Sequence, residues 1–323
     1  MRVILWAMSP HNILETLVNE VSAGRVAALC AIVATRGSTP QPAGTIVCVD
    51  STALMTGSLG GGCMEADVRR SAHQLLADRK SEVLTFSLDN DFGHDDGMIC
   101  GGELDIAVQT ISDPSELPPF RTAVDQLRAG REAVLPIRVT GAAGMAEYRL
   151  TIESVPRLVI AGAGHISRFL ATTAVTCGFD VSIVDERGDL NNARRFPPPI
   201  KTVVGDIGKT LADRPIDAAT YVVIVTRGHK HDEQALAAVI HSPACYIGMI
   251  GSKRKIDVTF DDLRHGGVSA ERLARVHAPI GLDIGAVTAE EIAVSIAAQL
   301  VAERRKNHHA AVSGPFPVAR DTT

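Results

Sequence analysis

Apolar residues recur at helical spacing near the start of the chain, at Ile13, Leu14, Leu17, Val18 and Val21, and predict an amphipathic helix. Ser9 stands where an N-cap belongs, Pro10 at the first helical position, and Gly24 at the end. The periodicity then changes. VAALCAIVAT (26–35), TIVCV (45–49), EVLTFSL (82–88) and ELDIAVQTI (103–111) read as strands. Between them lie a polar loop, RGSTPQPAG (36–44), and a glycine-rich turn, GSLGGGC (57–63). A helix follows from about Met64 to Ala77, with Val68, Ala72 and Leu75 or Leu76 on one face. The run 89–102 is polar and glycine-rich, and a helix at 116–129 precedes strands at 133–139 and 146–152. These elements predict a mixed α+β domain over residues 1–153.

Past Glu153–Pro156 the pattern becomes strand–helix alternation. RLVIAGAGHISRFLATTAVTCGFDVSIVDER (157–187) reads as strand, turn, helix, strand. VVGDI (203–207), TYVVIVTRG (220–228) and CYIGMIGS (245–252) are further apolar strands, each followed by helix-like sequence. RFPPPI (195–200) reads as a rigid loop. The repetition predicts a Rossmann-like, doubly wound parallel sheet over 154–306, and the whole chain an α/β protein. A capping box, Thr288 with Glu291, opens a last helix carrying Ile292, Ile296 and Leu300 on one stripe. From about Asn307 to residue 323 the composition predicts a disordered tail.

The chain has 323 residues, a formal charge of −5 and a hydrophobic fraction of 46%, so two soluble domains are expected and nucleic acid is not the expected partner. The longest apolar run, Val26 to Ala34, has nine residues. A membrane span needs about 20. The opening residues lack a secretory pattern, so a cytoplasmic protein with reduced thiols is expected. Six cysteines are too few for a disulfide scaffold, and no CxxC pair suggests structural zinc.

Three stretches carry chemistry. Gly162-Ala163-Gly164-His165-Ile166-Ser167 follows a strand and opens a helix. Gly162 permits the turn and Gly164 lets backbone approach a pyrophosphate, with His165 inside the turn. Asp185 ends the next strand, 21 residues after Gly164, where an acid would meet ribose hydroxyls. NAD(P), another nucleotide or none remain open for this scaffold. Second, Ser58, Gly60, Gly61, Gly62 and Cys63 form a turn at a helix start, where amides can face an anion and a thiol tends toward thiolate. Cys100-Gly101-Gly102 offers a second thiol beside glycines, whereas Cys30, Cys48, Cys177 and Cys245 read as small core residues. Third, TRGHKHD (226–232) and GSKRK (251–255) follow strands at the ligand-binding edge of the parallel sheet, where His229, His231 and Asp232 could contact a ligand or metal. RGSTP (36–40) could face the GGGC turn.

RGSTP (36–40), GSLGGGCMEADV (57–68), CGGELDI (100–106), TRGHKHD (226–232), YIGMIGSKRK (246–255) and APIGLDIGAVTAEEIAVSIAAQL (278–300), taken in this order, resemble the XdhC/CoxI family from about residue 9 to 306. The resemblance implies an accessory chaperone of molybdenum hydroxylases, with no turnover of its own. Such a protein binds the molybdenum cofactor (molybdopterin), supports its sulfuration with a cysteine desulfurase, and inserts it into an apo xanthine dehydrogenase-type hydroxylase. The resemblance also makes a homodimer plausible. It places cofactor handling at Gly60–Cys63 and Cys100–Gly102, with Cys63 and Cys100 as transient contacts to molybdenum or sulfide. The alternative is an NAD(P)-dependent oxidoreductase using Gly162, Gly164 and Asp185.

Overall fold

The structure is a computed structural model that describes residues 9–88, 102–141, 144–307 and 312–317. The chain divides into two units, residues 1–154 with 310–323, and residues 155–309.

The first unit runs α1 (Pro10–Ser22), β1 (Ala27–Arg36), β2 (Ile46–Asp50), β3 (Met55–Thr56), α2 (Gly62–Asp78), β4 (Glu82–Ser87), β5 (Glu103–Ile111), α3 (Pro118–Arg128), β6 (Ala133–Gly141) and β7 (Gly144–Ile152). The Ser9 hydroxyl accepts from the Asn12 amide and caps α1 as the sequence predicts. Strand β1 lies inside the sheet, antiparallel to both β2 and β5. Its side chains therefore alternate between two buried faces. Ala27, Leu29, Ala31 and Val33 join the core built with Leu14 and Leu17 of α1 and Phe120 and Leu127 of α3. Ala28, Cys30 and Ile32 join the opposite core, with Met64, Val68, Ala72, Leu75 and Leu76 of α2. The α2 helix thus packs its whole apolar stripe on the sheet, and this fixes the glycine-rich turn that leads into it.

The second unit runs β8 (Arg157–Ala161), α4 (His165–Thr176), β9 (Asp180–Asp185), β10 (Lys201–Val204), α5 (Ile207–Ala212), β11 (Thr220–Ile224), α6 (His229–Val239), β12 (Tyr246–Met249), α7 (Lys253–His265), α8 (Ala270–Leu273), β13 (Val276–His277) and α9 (Ala289–Asn307). The strand order β10-β9-β8-β11-β12-β13 is parallel throughout. Two buried clusters flank this sheet. One holds Leu170 and Ala174 of α4 with Ile296 and Leu300 of α9, and the other Leu211 of α5, Leu236 of α6 and Leu263 of α7. The stripe on α9 is therefore buried within its own unit. The Thr288–Glu291 capping box forms, with Glu291 accepting from the Thr288 amide at 2.9 Å.

Two expectations change. The predicted strand 203–207 stops at Val204, because the Asp206 carboxylate accepts from the Lys209 amide at 2.8 Å and caps α5 instead. Part of the predicted tail is ordered into a strand. β14 (Val312–Pro317) pairs antiparallel with β7 at the edge of the first sheet, and the Arg149 guanidinium lies 5.3 Å from the Phe316 ring. An exposed strand edge offers unpaired amides and carbonyls, and backbone pairing of this kind needs no distinctive composition.

Candidate functional site

Gly60, Gly61 and Gly62 all have positive φ, at 112°, 83° and 75°. That backbone region suits glycine and strains other residues. The turn delivers the chain into α2 with Cys63 in the first helical turn, exposed. Helix geometry leaves the first amides of α2 without intrahelical acceptors. An expectation is qualified here, because the glycine amides do not all face outward. Glu65 Oε1 accepts from Ser58 Oγ at 2.6 Å, the Leu59 amide at 2.8 Å and the Gly61 amide at 2.9 Å. The Gly60 amide donates to Ser58 Oγ at 3.2 Å. The turn carries its own internal anion. Desolvation pushes the Glu65 carboxyl up, but the bonds from Ser58 and the turn amides outweigh it and hold the group below its usual range. Sequence reasoning missed Glu65, although an acid in the first turn after a Ser-containing loop resembles the reciprocal capping pattern.

The RGSTP loop does meet this turn. A Cβ on Gly60 would lie 2.6 Å from Pro40 Cβ. On the same loop, a Cβ on Gly102 would lie 2.1 Å from the Ser38 carbonyl oxygen. Loop 36–41 therefore touches both glycine motifs, and each needs glycine because backbone or ring packs against it. Cys100 and Gly101 lie outside the described residues. The other cysteines divide by depth. Burial pushes the Cys30 thiol up to about 12 and Cys48 up as well, while Cys177 and Cys245 are only partly buried.

In the second unit, Gly162 has φ 110°, and a Cβ there would lie 2.6 Å from the Val225 carbonyl oxygen. Gly164 has open space where its Cβ would be, and it caps α4 with His165 exposed beside it. Ser167 replaces the third glycine and is fully buried. Its hydroxyl donates to the Gly162 carbonyl at 2.6 Å and so ties the turn shut. Asp185 departs from its expected role. It is 1% exposed, its Oδ2 accepts from the Ala163 amide at 2.6 Å, and Arg187 grips both oxygens at 2.6–2.8 Å. Burial alone would raise its pKa, but the Arg187 and backbone bonds hold it below the usual range. The carboxylate braces the turn and leaves no free oxygen for a ribose diol.

The H-x-H-D run does not converge on one point. His231 pairs with Glu186 at 3.3 Å, and the fully buried Asp232 pairs with Lys255 and accepts from Thr226 at 2.5 Å. Lys255 thus links the two motifs at the sheet edge. His229 points elsewhere, with Nδ1 3.0 Å from Thr259 Oγ1 and Nε2 3.0 Å from Asp262 Oδ2. His229, Glu233 and Asp262 each bring one donor atom to within 4.8 Å of the others. One imidazole and two carboxylates make a donor set suited to divalent cations.

Comparison with known proteins places these features. The XdhC and CoxI family pattern matches residues 21–87, and the XdhC Rossmann domain pattern matches residues 158–300. The chain belongs to the XdhC/CoxI family. It is 28% identical over 275 residues to the uncharacterized protein YqeB of Escherichia coli K12, aligning 85% of this chain with 43% of YqeB. It is 24% identical to a protein of Bacillus subtilis 168 named as a probable xanthine dehydrogenase subunit, over 92% of this chain and 98% of that protein. It is 22% identical to the molybdenum cofactor insertion chaperone PaoD of Escherichia coli K12, over 91% and 88% of the two chains. A crystal structure described as a xanthine dehydrogenase from Bacillus halodurans shares the fold, with a TM-score of 0.78 at 23% identity, covering 96% of this chain and 99% of that one. The matched XdhC and CoxI segment contains the GGGC turn and Glu65, and the matched XdhC Rossmann segment contains the Gly162 turn, Arg187 and Lys255.

Proposed function

We propose that this XdhC/CoxI chain is an accessory chaperone that binds the molybdenum cofactor and delivers it to a xanthine dehydrogenase-type hydroxylase. The observation that carries the reading is Cys63, an exposed thiol in the first turn of α2. It stands on three positive-φ glycines braced from beneath by Glu65. A soft sulfur ligand on a rigid turn suits brief contact with a thiophilic metal centre or sulfide. The phosphorylated pterin is the cargo, and the amides of the first turn of α2 are donors of the type that receives a phosphate. The names of the Bacillus subtilis relative and of PaoD support the same class of role. On this reading a cysteine desulfurase meets the loaded chaperone, and Gly102 packs on the RGSTP loop. The dinucleotide oxidoreductase reading loses the carboxylate it relied on, because Asp185 braces its own turn.

The test is anaerobic loading of the full chain with molybdenum cofactor, read as bound molybdenum per chain. Cys63→Ala should keep the wild-type unfolding temperature and lose most of the retained molybdenum. No uptake by the wild-type chain, together with full hydroxylase activity in a strain lacking it, would sink the proposal.

A further inference from the structure

A cavity of about 500 Å³ opens beside the Gly162 turn, lined by His165, Arg168, Asp189, Asn192, Arg194 and Arg195. Three guanidiniums come from two separate segments, Arg168 from α4 and Arg194 and Arg195 from the loop after β9. Among the described residues no carboxylate pairs with any of the three. Arg195 Nε is buried and has no hydrogen-bond partner. A buried donor of this kind is costly, and such orphans call for an occupant. The loop is held in place before any ligand arrives. Asn191 Nδ2 donates to the Val203 carbonyl at 2.7 Å, and Asn192 Nδ2 donates to the Asp189 carbonyl at 2.8 Å. Asn192 Oδ1 accepts from the Arg194 and Arg195 amides at 3.1 and 3.2 Å. Gly164, at the start of α4, leaves open space where a side chain would stand. Among the described residues Asp189 is the one acid that lines the cavity.

Three guanidiniums against one carboxylate, at a cavity of this size, suit a phosphorylated small molecule. In NAD-binding folds of this kind a carboxylate at the end of the second strand, here β9, receives the ribose hydroxyls. Here Arg187 and the Ala163 amide occupy it.

We propose that this cavity binds a phosphate or diphosphate group of a small ligand and reads the anion without reading ribose hydroxyls. Free diphosphate and a nucleotide carry the same chemistry. The inference stands apart from the chaperone reading, whose molybdenum-retention test turns on Cys63 in the other unit.

The experiment is calorimetric titration of the full chain with inorganic pyrophosphate, ADP and 2′,3′-dideoxy-ADP, at low and high salt. At least one of pyrophosphate and ADP should bind saturably, and more weakly at high salt. If ADP binds, its dideoxy counterpart should bind within about tenfold of it, since the Asp185 carboxylate that would accept from the lost hydroxyls is already taken by Arg187 and the Ala163 amide. Binding of pyrophosphate alone assigns the site to the free anion, and binding of ADP alone assigns it to a nucleotide. Arg195→Gln should weaken binding by about tenfold or more. Arg168→Gln, an exposed change on α4, should weaken it too while leaving the unfolding temperature unchanged, which separates a lost contact from a lost fold. The proposal is overturned if neither pyrophosphate nor ADP binds more tightly than about 1 mM at low salt. It is equally overturned if the arginine variants bind like wild type, or if removing the hydroxyls costs more than about tenfold.

Discussion

Replacing Glu65 with Ala removes one carboxylate oxygen that accepts three hydrogen bonds, from Ser58 Oγ and the Leu59 and Gly61 amides. Hydrogen bonds to a charged acceptor contribute about 1.5–3 kcal/mol each when well buried. This turn is partly exposed, so water can replace some of them and the three are not additive. We expect Glu65→Ala to cost about 2–3 kcal/mol, and Glu65→Gln about half that, because a neutral acceptor keeps the geometry at reduced strength. For a unit of this size, that lowers the midpoint by about 4–10 °C for Ala. The pH dependence follows from the lowered carboxyl. The wild-type advantage over Glu65→Gln is full above the unfolded value near 4.5 and fades as pH falls through the lower folded value. Urea unfolding at pH 7 and at pH 3 measures both effects, and hydrogen exchange at the Leu59 and Gly61 amides locates them. If Glu65→Ala costs under about 0.5 kcal/mol and leaves those amides as protected as before, the internal-anion account of the turn is wrong.

Ser167→Ala should destabilise the second unit by about 1–2 kcal/mol, because the Gly162 carbonyl loses a buried donor. Thermal unfolding checks it, and a cost near zero would mean the hydroxyl does not hold the turn. Lys255→Met should cost about 3 kcal/mol or more, since it leaves the fully buried Asp232 charge without its cation. Adding Asp232→Asn should recover much of the loss, and a strictly additive double variant would argue against the pair. Gly60→Ala should cost about 1–3 kcal/mol by denaturant titration, from its φ and from the clash with Pro40. A stabilised variant would show that the RGSTP loop yields freely.

Much of the fold was legible because local rules agreed. Ser9 and Pro10 open α1, the Thr288–Glu291 box opens α9, and the alternation of β1 divides two cores. The site was legible as positions more than as roles. Glycine at 60 and 162 marked turns, yet sequence spacing cannot say which anion a turn amide meets. Glu65 meets it in one turn and Asp185 in the other. Asp185 looked free because its partner Arg187 is only two residues away, where a charge usually reads as a solvated surface group. His229 looked grouped with His231 and Asp232, but successive helical positions diverge by about 100°, so its companions are Glu233 one turn on and Asp262 on α7.

Strand β14 has a consequence for how the protein is made. The ribosome completes the second unit before it releases residues 312–317, so β7 spends that interval as an open edge. A fragment cut at residue 154 would keep that edge for good and invite self-association. A version of the first unit meant to stand alone should carry 312–317 grafted after β7 by a short linker.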